Sequence, residues 1–341
     1  MLSVVDGLLS GVGRIFKLKI VRFHHQTTGG ILMMKTIFKN LSPFNNKMEM
    51  TGVEYTIKKL IAFFAIYIVS ALIGGVIVMA TLSALGYDIS QSEMAEDEIV
   101  NLLPNYANLV FVIITIVYCR VIEKKKIQSL GINKKIYDYL TGTILAITLL
   151  FVIISVSCGL DAISYCGINK DVNVMSLMLW LLAFVIQGST EEIMTRGFLL
   201  KSLQKKIATP KAIIISSTAF TLLHLPSLLE ADTIYVIVGV INLYLVSAIF
   251  SILVLLRGNI WIACGLHSVW NYILYSVMGL TVSGGENAST GVINFEIKET
   301  NIFNGAEYGI EASIITTVIL GIVLIPMIKK MKGRVDKDGI Q

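Results

Sequence analysis

The sequence predicts an all-α, polytopic membrane protein with about eight transmembrane helices and an active site within the helix bundle. Three observations predict it. Hydrophobic residues make up 55% of the 341 residues and charged residues only 15%, against about 25% charged in a soluble domain; the mean hydropathy is +0.76. The apolar residues gather into segments long enough to cross a bilayer core of about 30 Å. The charges gather between those segments, and every second loop is basic, the pattern that sets orientation in a membrane.

Residues 1–56 form an N-terminal cytoplasmic or interfacial segment. Val4 to Phe23 mixes apolar residues with Arg14, Lys17, Lys19 and Arg22, which suits a basic amphipathic helix lying on a membrane; the alternative is an extension ahead of a start at Met33 or Met34. No small-residue cleavage site follows a clean apolar core, so a removable signal peptide is not expected. His24 and His25 read as solvated polar residues.

Eight apolar segments follow, at roughly 60–86, 105–122, 138–158, 173–200, 208–227, 233–256, 259–280 and 308–328. Lys58 and Lys59 precede the first. Asp88, Glu93, Glu96, Asp97 and Glu98 follow it without a base. The next loop carries Arg120, Lys124, Lys125, Lys126, Lys134 and Lys135 against Glu123. Asp161, Asp171 and Lys170 lie between the third and fourth segments, then Lys201, Lys205, Lys206 and Lys211 without an acid. Glu230 and Asp232 follow the fifth segment and Arg257 the sixth. Glu286, Glu296, Glu299 and Lys298 fill the loop after the seventh, and residues 329–341 form a basic tail. The alternation makes 57–328 a membrane domain of the cell membrane with both termini cytoplasmic.

The remaining signals are smaller. A net charge of +5, carried in loops beside apolar segments, points to an anionic leaflet and not to nucleic acid. Cys119, Cys158, Cys166 and Cys264 show no CxxC or metal spacing; Cys158 and Cys166 share one predicted external loop, where they pair or remain free thiols. Ser283 to Gly305 reads as an irregular external loop, and the triplet Asn287-Ala288-Ser289 carries no weight.

Three polar clusters interrupt the apolar segments. The first is Glu191-Glu192 with Arg196. Glu191 precedes Lys201 by ten residues, which at ~1.5 Å per residue places it about 15 Å deep. Ionisable groups at that depth are costly and face a protein interior or a wet cavity. Glu192 and Arg196 share a helix face and can pair, whereas Glu191 is turned about 100° away toward a cavity. A buried salt bridge that only fixes packing explains one glutamate and leaves the other without a role. The second cluster is Phe220 to His224, with His224 about 20 Å beyond Lys211 by helix rise. The third runs from Arg257 to Asn271, with His267 and Asn271 stacked four apart and His267 about 15 Å deep. Interhelical hydrogen bonding accounts for either histidine alone. Their common depth points further: a carboxylate and an imidazole that deprotonate water, with an imidazole and an amide as donors, are a minimum set for peptide hydrolysis.

Glu191-Glu192-x-x-x-Arg196, Phe220-x-x-x-His224 and His267-x-x-x-Asn271, in that order, resemble the signature of the CPBP intramembrane proteases. This is the CAAX protease and bacteriocin-processing, or Abi, family, which includes the type II CAAX prenyl endopeptidases. Arg196-Gly197-Phe198-Leu199 and Gly258-Asn259-Ile260-Trp261 look like family context, and the resemblance covers about Leu179 to Tyr272, a motif core of 179–272. It implies an intramembrane endopeptidase, a hydrolase, in which Glu191 and His224 activate the attacking water. His267 and Asn271 would stabilise the oxyanion, with Glu192 and Arg196 shaping the site. The resemblance implies no required cofactor and a membrane-associated peptide or protein as substrate. A zinc-dependent alternative would use Glu191, His224 and His267 as ligands. A second alternative is a non-catalytic membrane scaffold or regulator with a membrane-protein partner, such as a sensor kinase, or a bacteriocin self-immunity protein. A proton-coupled transporter would spread its charges along a pathway, whereas these cluster at one depth.

Overall fold

The computed structural model describes residues 39–46, 50–88, 97–285, 291–297 and 299–338. The readings made for Val4 to Phe23, His24, His25, Met33 and Met34, and for the Asn287 triplet, lie outside the described residues.

Residues up to Lys58 belong to a compact unit of their own. In it Thr51 starts helix α1 (Gly52–Ala84) with a reciprocal cap. Thr51 Oγ1 accepts from the Glu54 amide at 3.2 Å, and Glu54 Oε2 accepts from the Thr51 amide at 2.9 Å, which satisfies two donors that a helix start leaves open. The second unit, Lys59–Gln341, holds the remaining helices: α2 (Glu98–Ala107), α3 (Leu109–Val117), α4 (Asp138–Gly159), α5 (Val174–Glu192), α6 (Thr209–Leu228), α7 (Thr233–Arg257), α8 (Trp261–Tyr272) and α9 (Ile314–Asp338). Three of them continue as π-helix, over Tyr118–Ile122 after α3, Ile193–Leu200 after α5 and Ile273–Val277 after α8.

Contacts between loops sort the second unit into two ends. At one end, Glu123 takes both Lys59 and Lys125. The Ile260 amide donates to the Gly131 carbonyl at 3.2 Å, Trp261 Nε1 to the Asn133 carbonyl at 2.8 Å, and Arg334 to the Leu256 carbonyl at 2.8 Å. This end carries the basic loops. Burial there opposes the ionisation of Glu123, but its two lysines outweigh it and hold the carboxyl below its ordinary value. At the other end, Glu98 accepts from Ser176 and Trp180. Here strand β1 (Ser164–Ile168) also pairs antiparallel with β2 (Ile293–Glu296), Tyr165 opposite Phe295. The loop expected to be irregular therefore contributes a strand, because Ile293 and Phe295 alternate with Asn294 and Glu296 and find a partner in β1.

Among the described residues, seven helical stretches are long and apolar enough to cross a membrane, α2, α3 and the π turn after it counting as one, one fewer than the eight segments expected. The segment expected to span 259–280 folds as 12 residues of α8 and five of π-helix, too short to qualify by length. It still returns the chain from the basic end to the ribbon end, since Ile260 and Trp261 bond to the loop at 131–133 while β2 pairs with β1. The last span also starts later than expected, at Ile314 and not near 308, because Ser313 Oγ accepts from the Thr316 amide at 3.1 Å and caps it there. All four cysteines are free thiols, so Cys158 and Cys166 are unpaired.

Helix α8 is the centre of the bundle. Every residue from Ile262 to Asn271 is buried, as for a helix walled by protein on all sides. It packs on α4 and α5, and two glycines set the distance to α4. A Cβ on Gly265 would stand 2.1 Å from the Tyr139 carbonyl oxygen, and one on Gly142 would stand 2.0 Å from that of Ile262. Membrane helices approach this closely through small residues. Gly265→Ala should therefore lower the thermal midpoint in detergent, by about 1–3 kcal/mol or more of stability. Gly159→Ala, whose added methyl meets nothing within 4 Å, should leave the midpoint unchanged; equal midpoints for the two variants would contradict this packing.

Candidate active site

Three helices bring the polar clusters together. Glu191 and Glu192 end α5, and Arg196 follows on its π continuation; His224 lies near the end of α6, and His267 and Asn271 lie on α8. Both α5 and α8 change from α to π within two residues of their last glutamate or asparagine. Such wide turns recur at functional sites.

Arg196 and Glu192 form the buried floor. Both side chains are 0% exposed, and Arg196 Nη1 donates to Glu192 Oε1 at 2.8 Å. Nη2 donates to Ser247 Oγ on α7 at 2.7 Å and to the Ser247 carbonyl at 3.3 Å. The guanidinium carbon lies 4.5 Å from the ring centre of Phe220 on α6 and 5.1 Å from that of Phe250 on α7, within cation–π range. Glu192 Oε1 also faces His267 Nδ1 at 3.1 Å. One ion pair thus joins α5, α6, α7 and α8.

Glu191 stands above this floor. Its Oε1 accepts from Gln187 Nε2, and Gln187 Oε1 accepts from Asn271 Nδ2 at 2.9 Å. Its Oε2 is buried without a hydrogen-bond partner among the described residues, and it faces His224 Nε2 at 3.7 Å and His267 Nε2 at 3.8 Å. These distances exceed a direct hydrogen bond and suit groups that share a third, small partner.

The second nitrogen of each imidazole decides what Nε2 can do. His224 Nδ1 lies 2.9 Å from the Phe220 carbonyl, which only accepts, so Nδ1 carries the proton and Nε2 presents a lone pair in the neutral ring. His267 Nδ1 donates to the Glu192 carboxylate in the same way. Asn271 has two amide protons; one goes to Gln187 and the second remains for a ligand.

All six sequence-derived positions meet in this constellation. Sequence reasoning missed four contributors. Gln187 left a signal, as the one amide a full turn before Glu191 in an otherwise apolar stretch. Ser247 left none, since a serine in a membrane helix is commonplace. Phe250 is one aromatic among many. Glu311 fell inside the segment expected to be the last span; it precedes α9, takes Trp270 Nε1 at 2.9 Å and the Ser283 amide at 2.6 Å, and lines a cavity with His224, His267 and Asn271.

Residues 173–273, from the start of α5 to just beyond α8, match the family model of type II CAAX prenyl endopeptidase Rce1-like proteins. The match contains all three motifs and agrees with the resemblance they carry. No curated protein matches the chain.

Proposed function

We propose that this chain, whose residues 173–273 form a Rce1-like type II CAAX prenyl endopeptidase domain, is an intramembrane endopeptidase acting on membrane-associated peptides or proteins. The observation that carries the reading is the convergence of one unpartnered carboxylate oxygen, Glu191 Oε2, with two imidazole Nε2 atoms at 3.7 and 3.8 Å. A water between them gives its proton to Glu191, with His224 Nε2 as second acceptor, while its oxygen attacks the scissile carbonyl carbon. The carbonyl oxygen then gains charge, and donors aimed at it lower the barrier. His267 as an imidazolium, with Nδ1–H on Glu192 and a second proton on Nε2, and the second Asn271 amide proton fill that role. Collapse of the tetrahedral adduct breaks the C–N bond, and the proton held by Glu191 passes to the leaving amine. Glu192 and Arg196 hold His267 and the helices in place without touching substrate.

Purified protein should cleave a membrane-inserted peptide, and Asn271→Ala should lower kcat by ~10²–10³ with a smaller change in KM. Turnover should survive EDTA and phenanthroline. If chelators abolish turnover and zinc alone restores it, Glu191, His224 and His267 are metal ligands. If the wild type cleaves nothing yet captures a membrane partner equally well with Glu191 replaced by alanine, the protein is a scaffold.

A further inference from the structure

We propose that Glu311, which lies beyond the matched residues 173–273, is a positioning residue of the site: by holding Trp270 it fixes the rotation of the helix end that carries Asn271. The proposal rests on the peptidase reading and adds a residue to its machinery.

The backbone at Glu311 is set from two helices. Its carbonyl accepts from Asn242 Nδ2 on α7 at 2.8 Å, and Asn242 Nδ2 also donates to the Ser313 carbonyl at 3.0 Å, at the start of α9. Thr317 Oγ1 of α9 donates to Asn242 Oδ1 at 2.7 Å, so the Asn242 amide is fully engaged. Just upstream, Gly309 has φ of +87°, and a Cβ there would stand 2.8 Å from the Thr281 carbonyl oxygen. Backbone that needs glycine both by conformation and by clearance is a fitted piece, not a loose connection.

Both side-chain oxygens of Glu311 face groups that only donate. Oε1 accepts from Trp270 Nε1 at 2.9 Å and Oε2 from the Ser283 amide at 2.6 Å. Stapling the connection would need only the Ser283 bond. A half-buried carboxylate is a costly partner for an indole that any carbonyl could satisfy, yet it reaches the residue standing between His267 and Asn271 on α8.

Helix geometry gives that bond its effect. His267 Nδ1 donates to Glu192 and Asn271 Nδ2 to Gln187, so both polar restraints on this face of α8 come from α5. Trp270 points about 100° away from Asn271 around the helix. Restraints from one side leave a helix end free to roll, and a second at that angle fixes it. The need is local, because α geometry ends at Tyr272 and the chain widens to π from Ile273. Trp270, Asn271, His267 and His224 line one cavity with Glu311, so a roll of this turn carries the Asn271 amide away from its aim.

Two variants separate positioning from stapling. Trp270→Phe deletes only the Nε1 bond and leaves Ser283 on Glu311, whereas Glu311→Leu removes both acceptors at similar size. Each should lower kcat by ~10–10²-fold, the scale of a slightly misplaced catalytic group. KM should stay within about twofold of wild type, as when an interaction acts in the transition state. Adding Trp270→Phe to Glu311→Leu should lower kcat no further, since residues acting through one bond are not additive. Labelling with 5-fluorotryptophan gives a fluorine resonance for each of the three tryptophans, and Glu311→Leu should shift that of Trp270 while Trp180 and Trp261 stay in place. A Trp270→Phe kcat within about twofold of wild type, or losses that multiply in the double variant, would overturn the proposal and leave Glu311 a staple of the connection. If Glu311→Leu does not fold, Trp270→Phe decides alone by the same kcat criterion. A wild type without turnover would sink the peptidase reading instead; the Trp270 resonance still reports then, and if it does not move, Glu311 does not hold α8.

Discussion

Glu191→Gln should reduce turnover by ~10²–10⁴, the usual cost of losing a general base, with KM and thermal midpoint near their wild-type values. The amide has the same shape and still accepts from Gln187 through its oxygen, so the helix face is undisturbed. What vanishes is the proton acceptor at the point where His224 and His267 converge on Oε2 at 3.7 and 3.8 Å. Because the side chain is partly exposed and outside the Glu192–Arg196 pair, little folding energy depends on its charge. A variant that keeps more than about a tenth of wild-type kcat would remove Glu191 as the base. Loss of turnover accompanied by a lowered midpoint would mean that Glu191 is structural.

Arg196→Ala should fail in the opposite manner, through the fold. Truncation strands the 0%-exposed Glu192 carboxylate, empties the space between Phe220 and Phe250 and releases Ser247. Breaking one side of a buried pair costs about 3–5 kcal/mol, so expression and thermal midpoint should both fall, with activity lost as a consequence. Arg196→Lys should recover little, because an ammonium is a point charge that cannot fork to Glu192 and Ser247 while lying between two rings. Wild-type stability of Arg196→Ala would show that the four helices do not depend on this pair.

The membrane class and the three polar clusters are legible in the sequence because both are one-dimensional signals. Hydropathy marks where a segment is apolar, and counting residues from the nearest lysine gives depth. Rotation and termination are less legible. The apolar run from Ile260 continues to Leu280, yet the helix ends earlier, at a π turn followed by Gly279 with φ of +61°; hydropathy carries no mark of that stop. Glu311 was hidden by the converse error, an apolar window that ran past the Ser313 cap. Gln187 was visible as a residue, but its pair of hydrogen bonds, donated to Glu191 and accepted from Asn271, depends on α5 and α8 lying side by side. That closeness rests on Gly188 of α5, where a Cβ would stand 2.8 Å from the Ser268 backbone nitrogen of α8, a partnership between segments some 80 residues apart.

The β1–β2 ribbon bears on the order in which the chain assembles. Its strands are separated by about 130 positions, so closing it is among the slower steps available to the chain, since contacts distant in sequence must wait on loop closure. By the time Ile293 emerges during synthesis, everything up to Val277 has already been made. Ser164–Ile168 then finds its partner only if α8, short as it is, has carried the chain across. A chain in which α8 stayed at the basic end would leave β2 on the far side of the bilayer from β1, with unpaired backbone on both. The ribbon can thus close only once the short α8, which holds His267 and Asn271, has carried the chain from one end of the bundle to the other.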